Sequence, residues 1–228
     1  MTGSSKLSSA SPSAQDSVPE PGADPGLTTV LTAADAVRIE GTDPAAPHGY
    51  GGELSALLID APTLAAKIGQ LAAAVAADHD NERPPLLVCV LKGAVLFMTD
   101  FARALPIPSE MEFMAVSSYG SATSSSGVVR ILKDLDSDIS GRRVVIVEDI
   151  IDSGLTLSWL LKNLESRGPA QIDVVALLRK PEAVKVPLQV GYIGFDIPTE
   201  FVVGYGLDYA ERYRDLPFVG LLAEHMYR

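Results

Sequence analysis

The chain has 228 residues, of which 47% are apolar, so it is long enough and apolar enough for one ordinary domain with a sizeable core. Lys and Arg total 18 against 29 Asp and Glu, and the resulting net charge of −11 argues against a nucleic-acid partner or an anionic membrane surface. A single cysteine, Cys89, excludes an intramolecular disulfide, and its apolar neighbours indicate a small buried residue.

The N-terminal quarter lacks the periodicity of folded elements. Residues 1–28 are rich in Ser, Pro, Ala and Gly, which is typical of a disordered tail. Residues 29–53 are ambiguous, because residues 29–31 could form a short strand while the prolines and glycines indicate a linker. We therefore expect tail and linker over residues 1–53 and a folded domain over residues 54–228. Neither a bilayer-spanning run nor a signal peptide is visible, so we expect a soluble, cytoplasmic protein.

Strands and helices alternate along the expected domain. Asp60, Ala61 and Pro62 mark a helix start, and helical spacing continues to Ala76. Further helices are expected after the strand at residues 86–91 and over the segment that ends near Arg167. The predicted strands cover residues 86–91, 111–116, 128–132, 144–147, 171–178 and 190–195. This order predicts an α/β fold with a parallel sheet, followed by strands without long helices.

The most informative stretch is residues 144–156. An apolar strand leads to Glu148 and Asp149, and a turn of small residues then opens a helix. Ligands of open α/β sheets bind outside the carboxyl ends of strands, and a small-residue turn at a helix N-terminus lets backbone N–H groups approach an anion. The pattern predicts a phosphate monoester in the turn, with sugar hydroxyls or a hydrated Mg2+ at the carboxylates. A Rossmann-like nucleotide strand is the alternative, but no G-x-G-x-x-G opens a helix.

The wording of residues 148–154, EDIIDSG, resembles the phosphoribosyl-pyrophosphate (PRPP) motif of type I phosphoribosyltransferases, in their hypoxanthine-guanine branch. Residues 91–93, 117–120 and 195–216 resemble other motifs of that branch. The resemblance covers about residues 54–222. It implies a Rossmann-like core, with a parallel sheet flanked by helices, and a small hood built from the N-terminal segment and residues 196–222.

The resemblance implies that a purine nitrogen displaces pyrophosphate from PRPP. Asp152 matches the catalytic aspartate and would accept the purine N–H proton as general base. Ser153, Gly154, Leu155 and Thr156 would hold the 5′-phosphate, and Leu155 would do so through its backbone alone. A structural role remains open at this point, because Asp152 or Thr156 could instead cap the following helix.

Charged residues outside the turn complete the implied site. Glu148 and Asp149 would meet the ribose diol and Mg2+, directly or through water. Asp208 matches a position beside the purine that binds a second Mg2+. The pyrophosphate would be held by Lys92, Gly93 and Arg214. In relatives, the peptide before that glycine is linked to an unusual cis geometry.

Besides Asp208, three residues and a loop would handle the purine. Lys180 would donate to the 6-oxo group, Phe201 would stack on the ring, and Val202 would offer its backbone to the ring edge. Ser118 and Tyr119 match the family's Ser-Tyr pair in a loop that closes over the reaction centre and excludes water.

The implied activity is purine salvage, in which PRPP and hypoxanthine or guanine give IMP or GMP and pyrophosphate. A donor at residue 180 favours a 6-oxopurine over adenine. Two alternatives stay open, namely an enzyme that prefers xanthine and a PRPP-sensing regulator of the same fold. Relatives commonly form dimers and tetramers, so a homodimer or homotetramer is expected.

Overall fold

The computed structural model describes residues 26–38, 52–79, 83–119 and 128–228, with only the backbone described for Ser118, Tyr119 and Val128. The helices of these ranges are α1 (Ala61–Ala77), α2 (Val95–Ala104) and α3 (Leu155–Glu165). The strands are β1 (Thr29–Val30), β2 (Val37–Arg38), β3 (Leu54–Ile59), β4 (Leu86–Leu91), β5 (Glu110–Tyr119), β6 (Val128–Lys133), β7 (Arg143–Ile151), β8 (Gln171–Arg179), β9 (Tyr192–Asp196), β10 (Val202–Val203) and β11 (Val219–Leu222).

The described strands form a larger core sheet in the order β1-β9-β8-β7-β4-β5-β6. Neighbouring strands run parallel except β5 and β6, which form an antiparallel hairpin. Because β4, β7 and β8 are parallel neighbours, the residues that follow them emerge at one edge of the sheet. That edge is where open α/β sheets bind ligands.

Both faces of the core sheet are covered by helices. Val145 and Val147 face the cluster that contains α1 and α2, whereas Val144 and Ile146 face the cluster that contains α3. Because both faces of the sheet are covered, the central strands are continuous apolar runs in the sequence. Cys89 is fully buried between the strands and the α1–α2 layer, as predicted, and burial raises the pKa of its thiol to about 12.

The start of α1 follows the sequence signals. Asp60 is its N-cap, with a carboxylate oxygen that accepts a hydrogen bond from the Thr63 backbone N–H at 2.8 Å, and Pro62 lies in the first turn. The helix that was expected from Ala61 to Ala76 is therefore confirmed. None of the helices in the described part of the chain is long and apolar enough to cross a membrane.

A smaller antiparallel sheet in the order β10-β11-β3-β2 forms the hood. It joins strands from the N-terminal segment with strands from the C-terminal segment, as predicted. A small core of its own lies under this sheet, where Tyr213 and Leu216 are fully buried. The Tyr213 hydroxyl donates to a carboxylate oxygen of Glu53 at 2.7 Å, which ties the two segments together.

Residues 26–38 form an arm that contacts both sheets. β1 extends the core sheet beside β9, and β2 extends the hood beside β3. Lys67 of α1 is buried and donates through Nζ to the Leu27 carbonyl at 2.6 Å and to Thr29 Oγ1 at 2.8 Å. The arm therefore precedes the expected domain start at Leu54, and β1 falls within residues 29–31, where a short strand was left open.

Removing residues 1–38 should destabilise the fold more than removing residues 1–25. The longer truncation deletes β1 and β2 and takes two acceptors from the buried Lys67 ammonium. Losing the partner of a buried polar group costs about 1–3 kcal/mol. We expect a melting temperature about 3–8 °C lower for the longer truncation. Thermal unfolding measures the difference, and equal values would show that the arm contributes nothing.

Candidate active site

A cavity of about 400 Å3 opens where the core sheet meets the hood. Most of the residues that were predicted from sequence to bind substrate or metal converge on it. The predicted site residues that line it are Lys92, Gly93, Asp149, Asp152, Lys180, Phe201, Val202, Asp208 and Arg214. They lie at or just after the ends of β4, β7 and β8 or belong to the C-terminal segment, so the cavity depends on the parallel order of the core and on the hood beside it.

Close backbone approach fixes the loop after β4. The peptide bond between Leu91 and Lys92 is cis. A Cβ on Gly93 would lie 1.8 Å from a carboxylate oxygen of Asp149, so a side chain there would force the buried Asp149 carboxylate to move. A Cβ on Gly206 would lie 2.0 Å from the Gly93 carbonyl oxygen, and the φ of Gly206 is +98°. The loop after β4 is therefore held between the end of β7 and the C-terminal segment.

Arg214 is held by the same C-terminal segment. Its Nη1 donates to the Gly206 carbonyl at 2.8 Å, and its backbone carbonyl accepts from the Gly206 N–H at 2.9 Å. Its Nη2 lies 2.7 Å from a carboxylate oxygen of Asp208. The buried Nε has no hydrogen-bond partner among the described residues. A guanidinium fixed in this way presents a fork that suits phosphate oxygens.

Tyr205 connects this segment to the core. It has a φ of +50°, which is uncommon outside glycine, and its hydroxyl donates to a carboxylate oxygen of Asp100 on α2 at 2.5 Å. Burial and the bond to Asp100 raise the pKa of the Tyr205 hydroxyl. No role was predicted from the sequence for Tyr205 or Asp100. Their sequence separation of 105 residues leaves no local signal of the contact.

The carboxylates at the end of β7 are crowded and desolvated. Burial raises the pKa of Asp149 to about 6; the Ile150 N–H at 2.8 Å and the Arg214 charge lower it, while Asp208 raises it. Burial, and then the neighbouring Asp149 charge, hold the pKa of Glu148 well above its usual range. Glu148 is 8% exposed and does not line the cavity.

Asp152 and Lys180 form an ion pair at the cavity, with an N–O distance of 3.5 Å. The Lys180 side chain is 9% exposed and that of Asp152 is 59% exposed. Lys180 also donates its backbone N–H to the Ile151 carbonyl at 2.9 Å, which fixes the end of β8 against the end of β7. A buried cation and an exposed carboxylate thus share one side of the cavity.

Neither Asp152 nor Thr156 caps α3. The N-cap is Gly154, which has a φ of +74° and no side chain to cap the helix, and Ser153 Oγ accepts a long hydrogen bond from the Leu155 N–H at 3.5 Å. Thr156 lies inside the helix. The capping alternative is therefore wrong, because the helix begins at a left-handed turn that glycine adopts readily. A Cβ added at Gly154 would also lie 2.6 Å from the Leu188 side chain.

The remaining predicted residues lie beside the cavity or beyond the described structure. Ser153, Gly154, Leu155 and Thr156 form the turn into α3 but do not line the cavity. The Ser153 carbonyl accepts from the Lys185 N–H at 3.0 Å, so a neighbouring loop supports this turn. Ser118 and Tyr119 end β5, while their side chains and residues 120–127 of the expected lid lie outside the described residues.

Asp149 and Asp208 provide oxygen ligands of the kind that Mg2+ prefers. In the described ranges, no three acidic, His or Cys side chains converge on a metal position, so Glu148, Asp149 and Asp208 do not form a complete protein cage. Mg2+ in substrate sites commonly uses one or two carboxylates, several waters and substrate phosphates. Burial disfavours the charged form of these crowded carboxylates, so an ion shared with the substrate would offset that cost.

Residues 57–210 match the family described as "Phosphoribosyl transferase domain". The chain is 56% identical over 184 residues to the hypoxanthine-guanine phosphoribosyltransferase of Mycobacterium tuberculosis, and the match covers 78% of this chain and 91% of that protein. It is 46% identical over 165 residues to the enzyme of that name from Dictyostelium discoideum, covering 71% and 92%. The chain therefore belongs to the phosphoribosyltransferase family, in its hypoxanthine-guanine branch.

Solved structures give the same result. A hypoxanthine phosphoribosyltransferase from Staphylococcus aureus has a TM-score of 0.74 at 39% identity, covering 77% of this chain and 95% of that one. A hypoxanthine-guanine phosphoribosyltransferase from Bacillus anthracis has a TM-score of 0.72 at 41% identity, covering 75% and 100%. The predicted type I phosphoribosyltransferase fold is confirmed, and the protein is a transferase.

Gly206→Ala should destabilise the protein, because the new Cβ meets the Gly93 carbonyl and the φ of +98° is unfavourable for alanine. We expect a loss of about 2–4 kcal/mol in the free energy of unfolding. Gly69→Ala is the matched control, since Gly69 lies in α1 with nothing within 4 Å, and alanine there should gain up to about 1 kcal/mol. Urea unfolding measures both. A neutral Gly206→Ala would refute the contact.

Asp149→Asn should remove a pH-dependent loss of stability. The folded pKa of about 6 lies above the ordinary value of 3.8, so the buried carboxyl is neutral at low pH and stability falls as pH rises through 6. The variant should become more stable relative to the wild type over that range, by at most about 3 kcal/mol above pH 7. Urea unfolding from pH 4 to 8 without ligand measures this. A constant difference across pH would contradict it.

Proposed function

We propose that the enzyme transfers the 5-phosphoribosyl group from PRPP to hypoxanthine or guanine, giving IMP or GMP and pyrophosphate in purine salvage. The observation that carries this proposal is the shared cavity, where Lys180 and Asp152 lie 3.5 Å apart and Lys92 and Arg214 supply two further cations. One part of the cavity suits a base that both accepts and donates hydrogen bonds, and the other suits an anionic leaving group. We further propose a cytoplasmic homodimer or homotetramer.

Asp152 would act as the general base. As pyrophosphate leaves, the sugar carbon gains cationic character, and the attacking purine nitrogen must lose its proton. A carboxylate is a weak base, but it suffices when the proton leaves after the nitrogen has begun to bond to the sugar. Its exposure of 59% allows the Asp152 side chain to reach into the cavity. Because Asp152 does not cap α3, its carboxylate is available for chemistry.

Lys180 would select the purine. Its buried ammonium would donate to a 6-oxo group, whereas the 6-amino group of adenine would place donor against donor. Phe201 would stack on the ring, and it is already oriented by Tyr209 and Tyr227, whose ring centroids lie 5.6 and 5.3 Å from its own. Val202 would offer its backbone at the ring edge.

Lys92, the Gly93 backbone and Arg214 would hold the leaving pyrophosphate. Asp149 and Asp208 would hold Mg2+, and the charge of the ion would favour the ionised form of the buried Glu148 carboxyl that precedes Asp149. When bound, Mg2+ would neutralise charge on the pyrophosphate. The charge of this ion would also offset the cost of the desolvated carboxylates.

The 5′-phosphate would lie against the turn into α3. Gly154 supplies the left-handed turn and has no side chain to cap the helix, so the backbone N–H of Thr156 is suited to an anion. The Leu155 N–H, which makes only a long bond of 3.5 Å to Ser153 Oγ, would join it, with the Ser153 and Thr156 hydroxyls nearby.

Ser118 and Tyr119 would belong to the lid. Leu91 pairs with Ala115, so β5 runs past the end of β4 at the edge that carries the cavity. A lid that starts there could cover the reaction centre and exclude water.

A turnover assay tests the proposal directly. The purified protein is given Mg2+ and PRPP with hypoxanthine, guanine, xanthine or adenine in turn, and nucleotide and pyrophosphate are both measured. We expect turnover with hypoxanthine or guanine and very little with adenine. Turnover with xanthine alone would replace the substrate assignment. PRPP binding without turnover of any purine would favour a regulator.

Asp152→Asn should lower single-turnover rates by about two orders of magnitude or more, because the base is lost, while PRPP affinity changes much less.

Lys180→Ala should mainly raise the KM for the purine, because a donor to the 6-oxo group is lost. Glu148→Gln and Asp149→Asn should mainly weaken the use of PRPP or Mg2+. Rapid-quench kinetics and PRPP titration separate these effects.

The unfolding free energy of each variant is the control in that series. If Asp152→Asn stayed folded and kept near-normal single-turnover rates, the proton would have to leave to water or to another residue, and the role of Asp152 would be reduced to pairing with Lys180.

A further inference from the structure

Glu211 contacts both cations that line the pyrophosphate side of the cavity. One of its carboxylate oxygens, Oε2, lies 2.8 Å from Lys92 Nζ, and the other, Oε1, lies 3.4 Å from Arg214 Nη2. A single carboxylate thus bridges the two side chains that would receive the leaving group, in the way that a phosphate would. No role was predicted from the sequence for Glu211.

The backbone holds Glu211 in an unfavourable conformation to make this bridge. Ala210 and Glu211 have φ values of +53° and +62° at the centre of a tight turn in which Tyr209 and Arg212 exchange backbone hydrogen bonds. Turns with two positive φ values favour Asn and Gly, so Ala-Glu is a costly choice. The Glu211 N–H donates to a carboxylate oxygen of Asp208 at 3.0 Å, which fixes the turn. Strain retained beside a functional cavity points to a functional side chain.

We propose that Glu211 is an internal counter-ion that competes with pyrophosphate for Lys92 and Arg214. In the ligand-free enzyme it neutralises and positions both cations. On PRPP binding it must yield them, and after transfer it takes them back and so favours release of pyrophosphate. This inference rests on the proposed function, because it requires that Lys92 and Arg214 bind the leaving group.

The expected effect is moderate, because the contacting side chains of Lys92 and Glu211 are each 65% exposed and water screens their attraction. Exposed ion pairs are weak, so releasing both cations should tighten pyrophosphate binding by about three- to tenfold at low salt. The gain should shrink as ionic strength rises. The same change should strengthen product inhibition by pyrophosphate, while the KM for the purine should stay within about twofold, since Glu211 does not line the cavity.

Calorimetric titration of the full chain with inorganic pyrophosphate and Mg2+ tests the proposal. Glu211→Gln should bind pyrophosphate more tightly than the wild type. Glu211→Asp keeps the charge but is one methylene shorter and cannot span both cations, so it should behave like Glu211→Gln. Glu224→Gln neutralises a comparably exposed acid that pairs with Arg228, and it should leave pyrophosphate affinity unchanged.

Two outcomes would overturn the inference. If Glu211→Asp matched the wild type while Glu211→Gln bound more tightly, only long-range charge would matter. If neither variant changed pyrophosphate affinity, there would be no competition. Lys92→Met and Arg214→Met distinguish this failure from failure of the proposed function. Loss of pyrophosphate affinity in both keeps the assignment of the two cations, whereas unchanged affinity removes the assignment itself.

Discussion

The site depends on a contact that only glycine permits. Gly93 lies against the Asp149 carboxylate on one side, and its carbonyl oxygen lies against Gly206 on the other. A side chain at either position would separate the loop after β4 from the end of β7 or from the C-terminal segment. Since Arg214 is hydrogen-bonded to both backbone groups of Gly206, the same contact also fixes the guanidinium. Cations and carboxylates therefore keep their relative positions because three backbone segments approach closely.

A chain with a net charge of −11 must bind an anionic substrate by local arrangement of charge. The structure does so by pairing every cation at the cavity with a carboxylate. Lys180 pairs with Asp152, Arg214 with Asp208, and Lys92 with Glu211. Each pair keeps its cation in place without ligand. In the proposed function the substrate would displace these carboxylates, and a ligand that brings Mg2+ would be favoured because the ion would satisfy the carboxylates that the phosphates leave unpaired.

Sequence reasoning located the groups that follow strands and missed the groups that depend on long-range turns. Asp149, Asp152 and Lys180 were predictable, because they lie at the ends of strands along one sheet edge and within sequence motifs that resemble those of the family. The bond between Tyr205 and Asp100 and the bridge made by Glu211 join residues more than a hundred positions apart, with no local pattern. Of the two strands of the arm, β1 falls within residues 29–31, where a short strand was left open, whereas β2 was missed because two residues show no period.

The residues that line the cavity belong to different sheets, so their relative position must itself be stabilised. Phe201 and Val202 belong to the hood segment, whereas Asp152 and Lys180 follow strands of the core. Three kinds of contact link the two parts: the packing of Gly206 on Gly93, the buried hydrogen bond from Tyr205 to Asp100, and the arm that adds one strand to each sheet. A transfer reaction loses much of its rate when the reacting atoms are misplaced by about 1 Å. These linking contacts would therefore serve the chemistry even though Tyr205, Asp100 and the arm lie outside the cavity lining. Because the hood takes strands from both the N-terminal and the C-terminal segment, both segments help to fix its position on the core.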